Sequence, residues 1–310
     1  MRDAIEETHA LVRDMKIRGA GRIARVAVLA LKEYCDRTDF SSVADLLGRL
    51  QKAGQRLKSA RPTAVSLPNA VNLVVSVAKK NAEKGLSLPD LKQVIDDACD
   101  NFVAVSDKAT QTIAAIGAKR ITDGDVVMTH CNSEAVTEIF ATAHAQGKSF
   151  EVYATETRPR YQGRITAADL ARRGIDVSLI PDSAARLYMH KVDKVLVGAD
   201  AIAANGAVVN KIGTSQLALV AHESRARFYV AAETYKLHPT TMLGELVEIE
   251  QRSSLEVVPR SWMESNGGVK VKNPAFDVTP PEYIDIIITE RGIYPPQGIV
   301  FLMKELYPET

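Results

Sequence analysis

Residues 126–145 read VVMTHCNSEAVTEIFATAHA, a strand-like run followed by a helix-like segment. Its short apolar run, Val126 to Thr129, is typical of a buried strand, and Glu134 to Ala145 has the spacing of a helix. Apolar runs and helix-like segments keep alternating along the rest of the chain. The further runs are Phe150 to Ala154, Val177 to Ile180, Val195 to Val197, Phe228 to Ala231 and Ile284 to Ile288. This alternation predicts an α/β fold with a doubly wound parallel sheet.

The first part of the chain has a different pattern. Residues 1–115 carry Ala, Leu, Lys and Arg at helical spacing, with no strand-like run. Helix boundaries are predicted at Thr38 to Ser42, at Arg61-Pro62 and between Gly85 and Pro89. We therefore expect an all-helical N-terminal domain over residues 1–115 and a Rossmann-like catalytic domain over residues 116–310.

Composition excludes several classes of protein. The 310 residues include 39 Lys and Arg against 38 Asp and Glu, so no charge excess indicates a nucleic-acid partner. No apolar run approaches the roughly 20 residues that span a bilayer, and the charged N-terminus is unlike a signal peptide. Cys35, Cys99 and Cys131 form no CxxC pair, which indicates free thiols. We expect a cytoplasmic protein with no membrane or nucleic-acid partner.

Two strand ends carry reactive groups. Cys131 follows the first strand and stands before Asn132-Ser133-Glu134, where a helix starts, so helix N–H groups are expected to lower the thiol pKa. Asp200 follows the run Val195 to Val197. A thiolate there can remove a C–H proton while a protonated carboxyl donates one. The alternatives are a buried, inert cysteine and an aspartate that caps a helix.

Several basic segments are candidates for phosphate binding. Lys211 follows Asn210 and precedes a helix start, whose N–H groups are suited to an anion. The other candidates are Arg18-Gly19-Ala20-Gly21-Arg22, Arg61 and Lys236. The alternative is a solvated lysine beside an ordinary turn for Lys211, an ordinary interhelical loop for Arg18 to Arg22, and solvated surface for Arg61 and Lys236.

Common cofactor and metal motifs are absent. The sequence contains no GxxxxGK[ST], GxGxxG after a strand, HExxH or GxSxG. His130 adjoins Cys131, but neighbouring strand residues point to opposite faces, so a shared metal site is not expected. We predict neither a cofactor nor a metal.

Taken together, these segments resemble one known family almost end to end. It contains methylthioribose-1-phosphate isomerases, archaeal ribose-1,5-bisphosphate isomerases and the regulatory subunits of translation initiation factor 2B. The residues that carry the resemblance are Arg18 to Arg22, Arg61 to Leu67, Thr129 to Glu134, Gly198 to Thr214 and Glu233 to Lys236. In the isomerases a Cys and an Asp at two strand ends are catalytic, and Cys131 and Asp200 match them.

The N-terminal motifs resemble the ribose-1,5-bisphosphate branch. The methylthioribose branch usually has Pro where Gly21 stands and Asn where Ser66 stands. The resemblance implies conversion of ribose 1,5-bisphosphate to ribulose 1,5-bisphosphate through an enol phosphate, in AMP and nucleoside salvage that feeds archaeal RuBisCO. It also implies a homo-oligomer, dimer or hexamer, with AMP as an activator. Methylthioribose-1-phosphate isomerase activity and a non-catalytic regulatory subunit remain the alternatives.

Overall fold

The computed structural model describes residues 4–61 and 63–307, and the chain divides into two compact units. The first unit ends at Ala109 and the second begins at Thr110. This division and the domain boundary expected after residue 115 both fall within one long helix, Leu88–Ala118. Pro62, a predicted helix boundary, lies outside the described residues. Helices in the first unit and a mainly parallel sheet in the second confirm the predicted α/β class.

The first unit is built from helices. They are α1 (Ala4–Arg13), α2 (Ala20–Arg37), α3 (Val43–Ser59), α4 (Ser66–Glu83) and α5 (Leu88–Ala118), of which α5 continues into the second unit. The helix α2 buries Ile23, Ala27 and Leu31, which lie on one face because they are four residues apart. Ser42 caps α3, since its hydroxyl accepts the backbone N–H of Asp45 at 3.1 Å.

The second unit contains ten strands and six further helices among its described residues. The strands are β1 (Val126–Thr129), β2 (Glu151–Thr155), β3 (Asp176–Ile180), β4 (Lys194–Val197), β5 (Ala201–Ile202), β6 (Val208–Lys211), β7 (Arg227–Ala231), β8 (Phe276–Thr279), β9 (Ile286–Thr289) and β10 (Gly292–Tyr294). The helices are α6 (Glu134–Ala145), α7 (Gln162–Arg172), α8 (Ala185–Met189), α9 (Thr214–Ser224), α10 (Arg260–Ser265) and α11 (Ile299–Leu306).

Seven of these strands form the main sheet, in the order β10-β9-β7-β4-β1-β2-β3. All neighbours are parallel except β10, which pairs with β9 in the antiparallel sense. Apolar cores cover both faces. Val127 packs in the cluster that contains Phe140, whereas Met128 packs in the cluster that contains Phe228. Successive residues of β1 thus point to opposite faces, which is why its sequence is apolar throughout.

The strand order reverses beside β1. From β1 the chain builds β2 and β3 on one side and then returns to place β4, β7 and β9 on the other. In a doubly wound sheet the crevice beyond the carboxyl ends of the strands at this switch point is the usual ligand site. Cys131 follows β1 and Asp200 follows β4, so the topology brings these two residues to that crevice.

A small antiparallel sheet, β5-β6-β8, follows the carboxyl end of β4. Its pairing sets Asn210 opposite Asp277 and Lys211 opposite Phe276. The sequence indicated only a short extended piece near residue 208. No helix among the described residues is long and apolar enough to cross a membrane.

Candidate active site

Cys131 lies in a tight turn between β1 and α6. Its backbone is left-handed, with φ at 71°. The Cys131 N–H donates to the Thr157 hydroxyl at 2.8 Å, and the Thr166 hydroxyl donates to the Cys131 carbonyl at 2.8 Å. Hydrogen bonds on both sides of the residue therefore hold the turn that presents the thiol.

The thiol of Cys131 is held in its protonated form. Burial raises its pKa to about 11, although the nearby Lys211 ammonium lowers it, and the Asp200 carboxylate raises it further. Part of the residue stays accessible to solvent, but the surrounding protein removes most of the thiol's hydration. The expectation of a lowered pKa was wrong, because desolvation outweighs the helix N-terminus three residues further on.

Asp200 lies near enough to this thiol for its charge to raise the Cys131 pKa. Its backbone N–H donates to the Val209 carbonyl at 2.9 Å, which ties the end of β4 to β6. Gly198 makes the approach of the two strand ends possible, because a Cβ there would lie 2.5 Å from the Ser133 hydroxyl oxygen. The Cys131 and Asp200 pair predicted from sequence thus meets in one place.

The residues between Cys131 and α6 have separate positions. Asn132 accepts a hydrogen bond from the Thr166 hydroxyl at 3.0 Å. Ser133 is the N-cap residue of α6, and Glu134 is its first residue. All three follow Cys131 directly in the chain, and their predicted contacts with a substrate stay a prediction.

Two buried cations act on Cys131. Lys211 is 5% exposed, donates to the Ala275 carbonyl at 3.0 Å, and lies 4.6 Å from the centre of the Phe276 ring. Arg252 approaches the same ring, and the two cations both lower the Cys131 pKa. Burial of this kind is unusual for Lys and Arg and is typical of functional sites.

Arg252 was missed by sequence reasoning. It lies in a stretch between β7 and β8 that has only short helical turns and no period in its apolar residues. Its side chain is 7% exposed and pairs with Glu250 at 2.9 Å. No sequence signal distinguished it from the other arginines of the chain.

The N-terminus of α9, expected to bind a phosphate, is occupied by a carboxylate. Asp277 accepts the backbone N–H of Gly213 at 2.7 Å and of Ser215 at 3.1 Å. Burial raises the Asp277 pKa to about 6, although these N–H groups and Lys211 lower it. The expectation that N–H groups after Lys211 serve an anion from outside was therefore wrong for these two donors. Asn210 lies beside them and donates to the Thr214 hydroxyl at 3.0 Å.

Lys236 belongs to a buried ion pair. Its ammonium lies 2.7 Å from Glu233, and both side chains are nearly inaccessible. Burial raises the Glu233 pKa, but Lys236 outweighs it and holds that pKa below its ordinary value. The Glu290 carboxylate accepts the Thr234 N–H at 3.1 Å, so the turn that carries Lys236 is fixed.

The remaining predicted residues lie in the first unit. Gly19, with φ at 88°, is the N-cap of α2, and Ala20, Gly21 and Arg22 form the first turn of that helix rather than a loop. Arg18 donates to the Met15 carbonyl at 2.8 Å, and Arg61 is buried. The Ser66 hydroxyl donates to the Ala20 carbonyl at 2.8 Å, which joins the two predicted motifs.

The His130 ring has hydrogen-bond partners other than Cys131. Its Nε2 donates to the Ile212 carbonyl at 2.8 Å, and its Nδ1 lies 2.6 Å from the Thr155 hydroxyl. Burial lowers its pKa, so the ring is neutral at pH 7. Residues 4–61 and 63–307 contain no group of three His, Cys, Asp or Glu side chains that could hold a metal ion.

The arrangement is suited to moving protons. The Asp200 carboxylate and the Cys131 thiol are close enough for the carboxylate charge to raise the thiol pKa, while the nearby Lys211 and Arg252 cations lower that pKa. Such a pair can take a proton from carbon at one atom and deliver a proton to oxygen at the other.

Comparison with known proteins adds to this geometry. Residues 16–296 match the model of the initiation factor 2 subunit family. A ribose 1,5-bisphosphate isomerase of Methanocaldococcus jannaschii is 50% identical over 98% of this chain and 96% of that relative. Further relatives at 42–50% identity carry the same name.

More distant proteins match as well. A methylthioribose-1-phosphate isomerase of Acetivibrio thermocellus is 38% identical, over 92% of this chain and 86% of that relative. The crystal structure of a Pyrococcus horikoshii translation initiation factor eIF-2B superimposes with a TM-score of 0.81. It is 32% identical, and the match covers 96% of this chain and 98% of that one.

Proposed function

Since the chain belongs to the initiation factor 2 subunit family and is an isomerase, we propose that it converts α-D-ribose 1,5-bisphosphate to D-ribulose 1,5-bisphosphate. The observation that carries this proposal is the Cys131 thiol beside the Asp200 carboxylate at the switch point of the sheet. The names of the relatives at 42–50% identity support the choice of substrate.

The proposed chemistry follows from a phosphate on C1. That phosphate blocks the free aldehyde used by ordinary aldose isomerases, so the ring must open with the phosphate attached. Asp200 protonates the ring oxygen as the bond from C1 to that oxygen breaks. Cys131 then removes the C2 proton, which gives an enol phosphate. Cys131 returns a proton to C1, and Asp200 takes the proton of the 2-hydroxyl group, so both residues regain their starting states.

The proposed reaction starts with Cys131 as a thiolate and Asp200 as a protonated carboxyl group. With a pKa of about 11, Cys131 is ionised in about one molecule in 10⁴ at pH 7 when it is considered alone. In the proposed mechanism Asp200 carries the proton, and a neutral Asp200 no longer raises the thiol pKa of Cys131. Lys211 and Arg252 stabilise the resulting thiolate.

The basic residues are proposed to bind the two phosphates. In the second unit these are Lys211 and Lys236, and in the first unit Arg18, Arg22 and Arg61. Their charge suits phosphate oxygens, whereas a methylthio group would require an apolar pocket. The N–H groups of Gly19, Ala20 and Gly21 at the start of α2, and the polar groups of Asn132, Ser133, Glu134 and Asn210, are proposed as further substrate contacts.

Four finer expectations remain proposals. We propose a cytoplasmic enzyme, a homo-oligomer of two or six copies, activation by AMP, and a role in nucleotide salvage that supplies RuBisCO. They rest on the family resemblance alone.

The test is to incubate the purified protein with ribose 1,5-bisphosphate, ribose 1-phosphate and methylthioribose 1-phosphate and to follow the sugar carbons by NMR. A charged hydrogen bond to the 5-phosphate is worth about 1.5–3 kcal/mol, so we expect a preference of roughly ten- to a hundredfold in kcat/KM for the bisphosphate. Equal turnover of all three sugars would contradict the substrate assignment. No turnover of any of the three sugars would contradict the proposed reaction.

A further inference from the structure

Hydrogen bonds join three consecutive strand ends and lead to Cys131. Asp182 follows β3, Thr157 follows β2, and Cys131 follows β1. The Asp182 carboxylate accepts the backbone N–H groups of Thr157 and Arg158, both at 2.7 Å. The Thr157 hydroxyl oxygen in turn accepts the Cys131 N–H at 2.8 Å. The chain of contacts thus runs along the rim of the sheet towards the thiol.

Thr157 and Cys131, the last two residues of this series of hydrogen bonds, both have an uncommon backbone conformation. Thr157 has φ at 62° and Cys131 has φ at 71°, in the left-handed region that side chains other than glycine seldom adopt. A β-branched residue is especially disfavoured there. Such conformations persist where the surroundings impose them, and they concentrate at active sites. Here Asp182 fixes the Thr157 turn, and the fully buried Thr157 fixes the Cys131 turn.

We infer that Thr157 is a positioning residue for the Cys131 thiol and that Asp182 acts on the same thiol through Thr157. This role in turnover rests on the proposed function, in which Cys131 is the base. A small rotation about the Cys131 backbone would move the sulfur away from both Asp200 and the substrate carbon. Misplacement of a reacting group by about 1 Å lowers a rate by about a hundredfold.

The variant Thr157→Val tests the inference. Valine keeps the β-branched shape but removes the acceptor for the Cys131 N–H. We expect kcat to fall at least about tenfold while KM changes less than about twofold, because the phosphate ligands are untouched. Thr157→Ser keeps the hydroxyl and should restore kcat to within about threefold of wild type. Asp182→Asn, which weakens the support of Thr157, should give an intermediate kcat.

Thr289→Val is the matched control. Thr289 is also fully buried, and its hydroxyl also accepts a backbone N–H, from Arg291 at 3.1 Å. It makes no contact with Cys131, so its loss should lower stability without lowering kcat. A fall in kcat in Thr157→Val but not in Thr289→Val would indicate a positioning role for Thr157 rather than a merely structural one.

A second measurement does not depend on the substrate. The rate at which iodoacetamide alkylates Cys131, followed by peptide mass spectrometry, should change at least about threefold in Thr157→Val and stay at the wild-type value in Thr157→Ser and Thr289→Val. If Thr157→Val fails to fold, Asp182→Asn takes its place in both assays. Wild-type kcat together with a wild-type alkylation rate in the tested variant would overturn the inference. If wild-type protein does not isomerise the bisphosphate, the proposed function fails, and the alkylation rates still decide whether Thr157 positions Cys131.

Discussion

Replacing Asp200 by Asn should raise the reactivity of the Cys131 thiol and abolish isomerase turnover. The Asp200 carboxylate raises the pKa of the Cys131 thiol, so its neutral amide should lower that pKa. The same change removes the proposed acid, because an amide cannot deliver a proton to the ring oxygen. Asp200→Asn should therefore make Cys131 more reactive towards an alkylating reagent while isomerase turnover is lost.

The size of the first effect follows from the charge that is removed. A neighbouring carboxylate shifts a pKa by about one unit or more, so the Cys131 pKa of about 11 should fall to about 10. At pH 8 the thiolate fraction then rises about tenfold. A less basic thiolate is also a weaker nucleophile, which offsets about threefold of this gain. The net expectation is an alkylation rate about three- to fourfold above wild type.

The assay is alkylation by iodoacetamide at pH 8, with each cysteine followed by peptide mass spectrometry. Cys35 and Cys99 serve as internal references, since both are buried with pKa values raised to about 12 by burial. Asp285→Asn is the matched control variant, because Asp285 precedes β9 at the opposite, amino-terminal edge of the sheet. An unchanged or slower rate at Cys131 in Asp200→Asn would refute the electrostatic coupling of the pair.

Four further outcomes are expected. Cys131→Ser should lower kcat at least about a thousandfold with little change in substrate affinity by calorimetry, because a hydroxyl is a far weaker acid than a thiol and does not form the anionic base. Lys211→Met should slow alkylation of Cys131 about threefold at pH 8, because it removes a charge that lowers the thiol pKa. Arg252→Met should also slow alkylation of Cys131, but by less, because Arg252 lowers the thiol pKa less than Lys211 does. Asp277 has a folded-state pKa of about 6 against an ordinary 3.8, so its stabilisation is present below about pH 4 and is lost as pH rises through 6. The difference in unfolding free energy between wild type and Asp277→Asn, from urea titrations, should therefore fall by about 2.4 kcal/mol from pH 4 to 7.

Sequence was sufficient for the main sheet because its strands are buried on both faces. Each predicted apolar run contains or overlaps a strand, and α6 has the predicted bounds of Glu134–Ala145. The edge strand β10 and the strands β5 and β8 of the small sheet were missed, and β6 was indicated only as a short extended piece. Antiparallel pairing with a neighbouring strand defines these strands, and such pairing leaves no continuous apolar run in the sequence.

For the candidate site, the properties set by residues adjacent in sequence were predicted, whereas those set by residues adjacent only in space were not. Cys131 and Asp200 were found because each follows a strand, and parallel strands bring their ends to one rim. The pKa shift of Cys131 was predicted in the wrong direction. The helix start that should lower this pKa is visible in the local sequence, but the packing that buries the thiol and raises the pKa is not. Asp277 shows this most directly. It lies 62 positions beyond Ser215 in sequence, yet its carboxylate accepts the N–H groups at the start of α9 that sequence reasoning left open for a phosphate. A motif therefore fixes which groups reach the site, and the fold around it decides their charge.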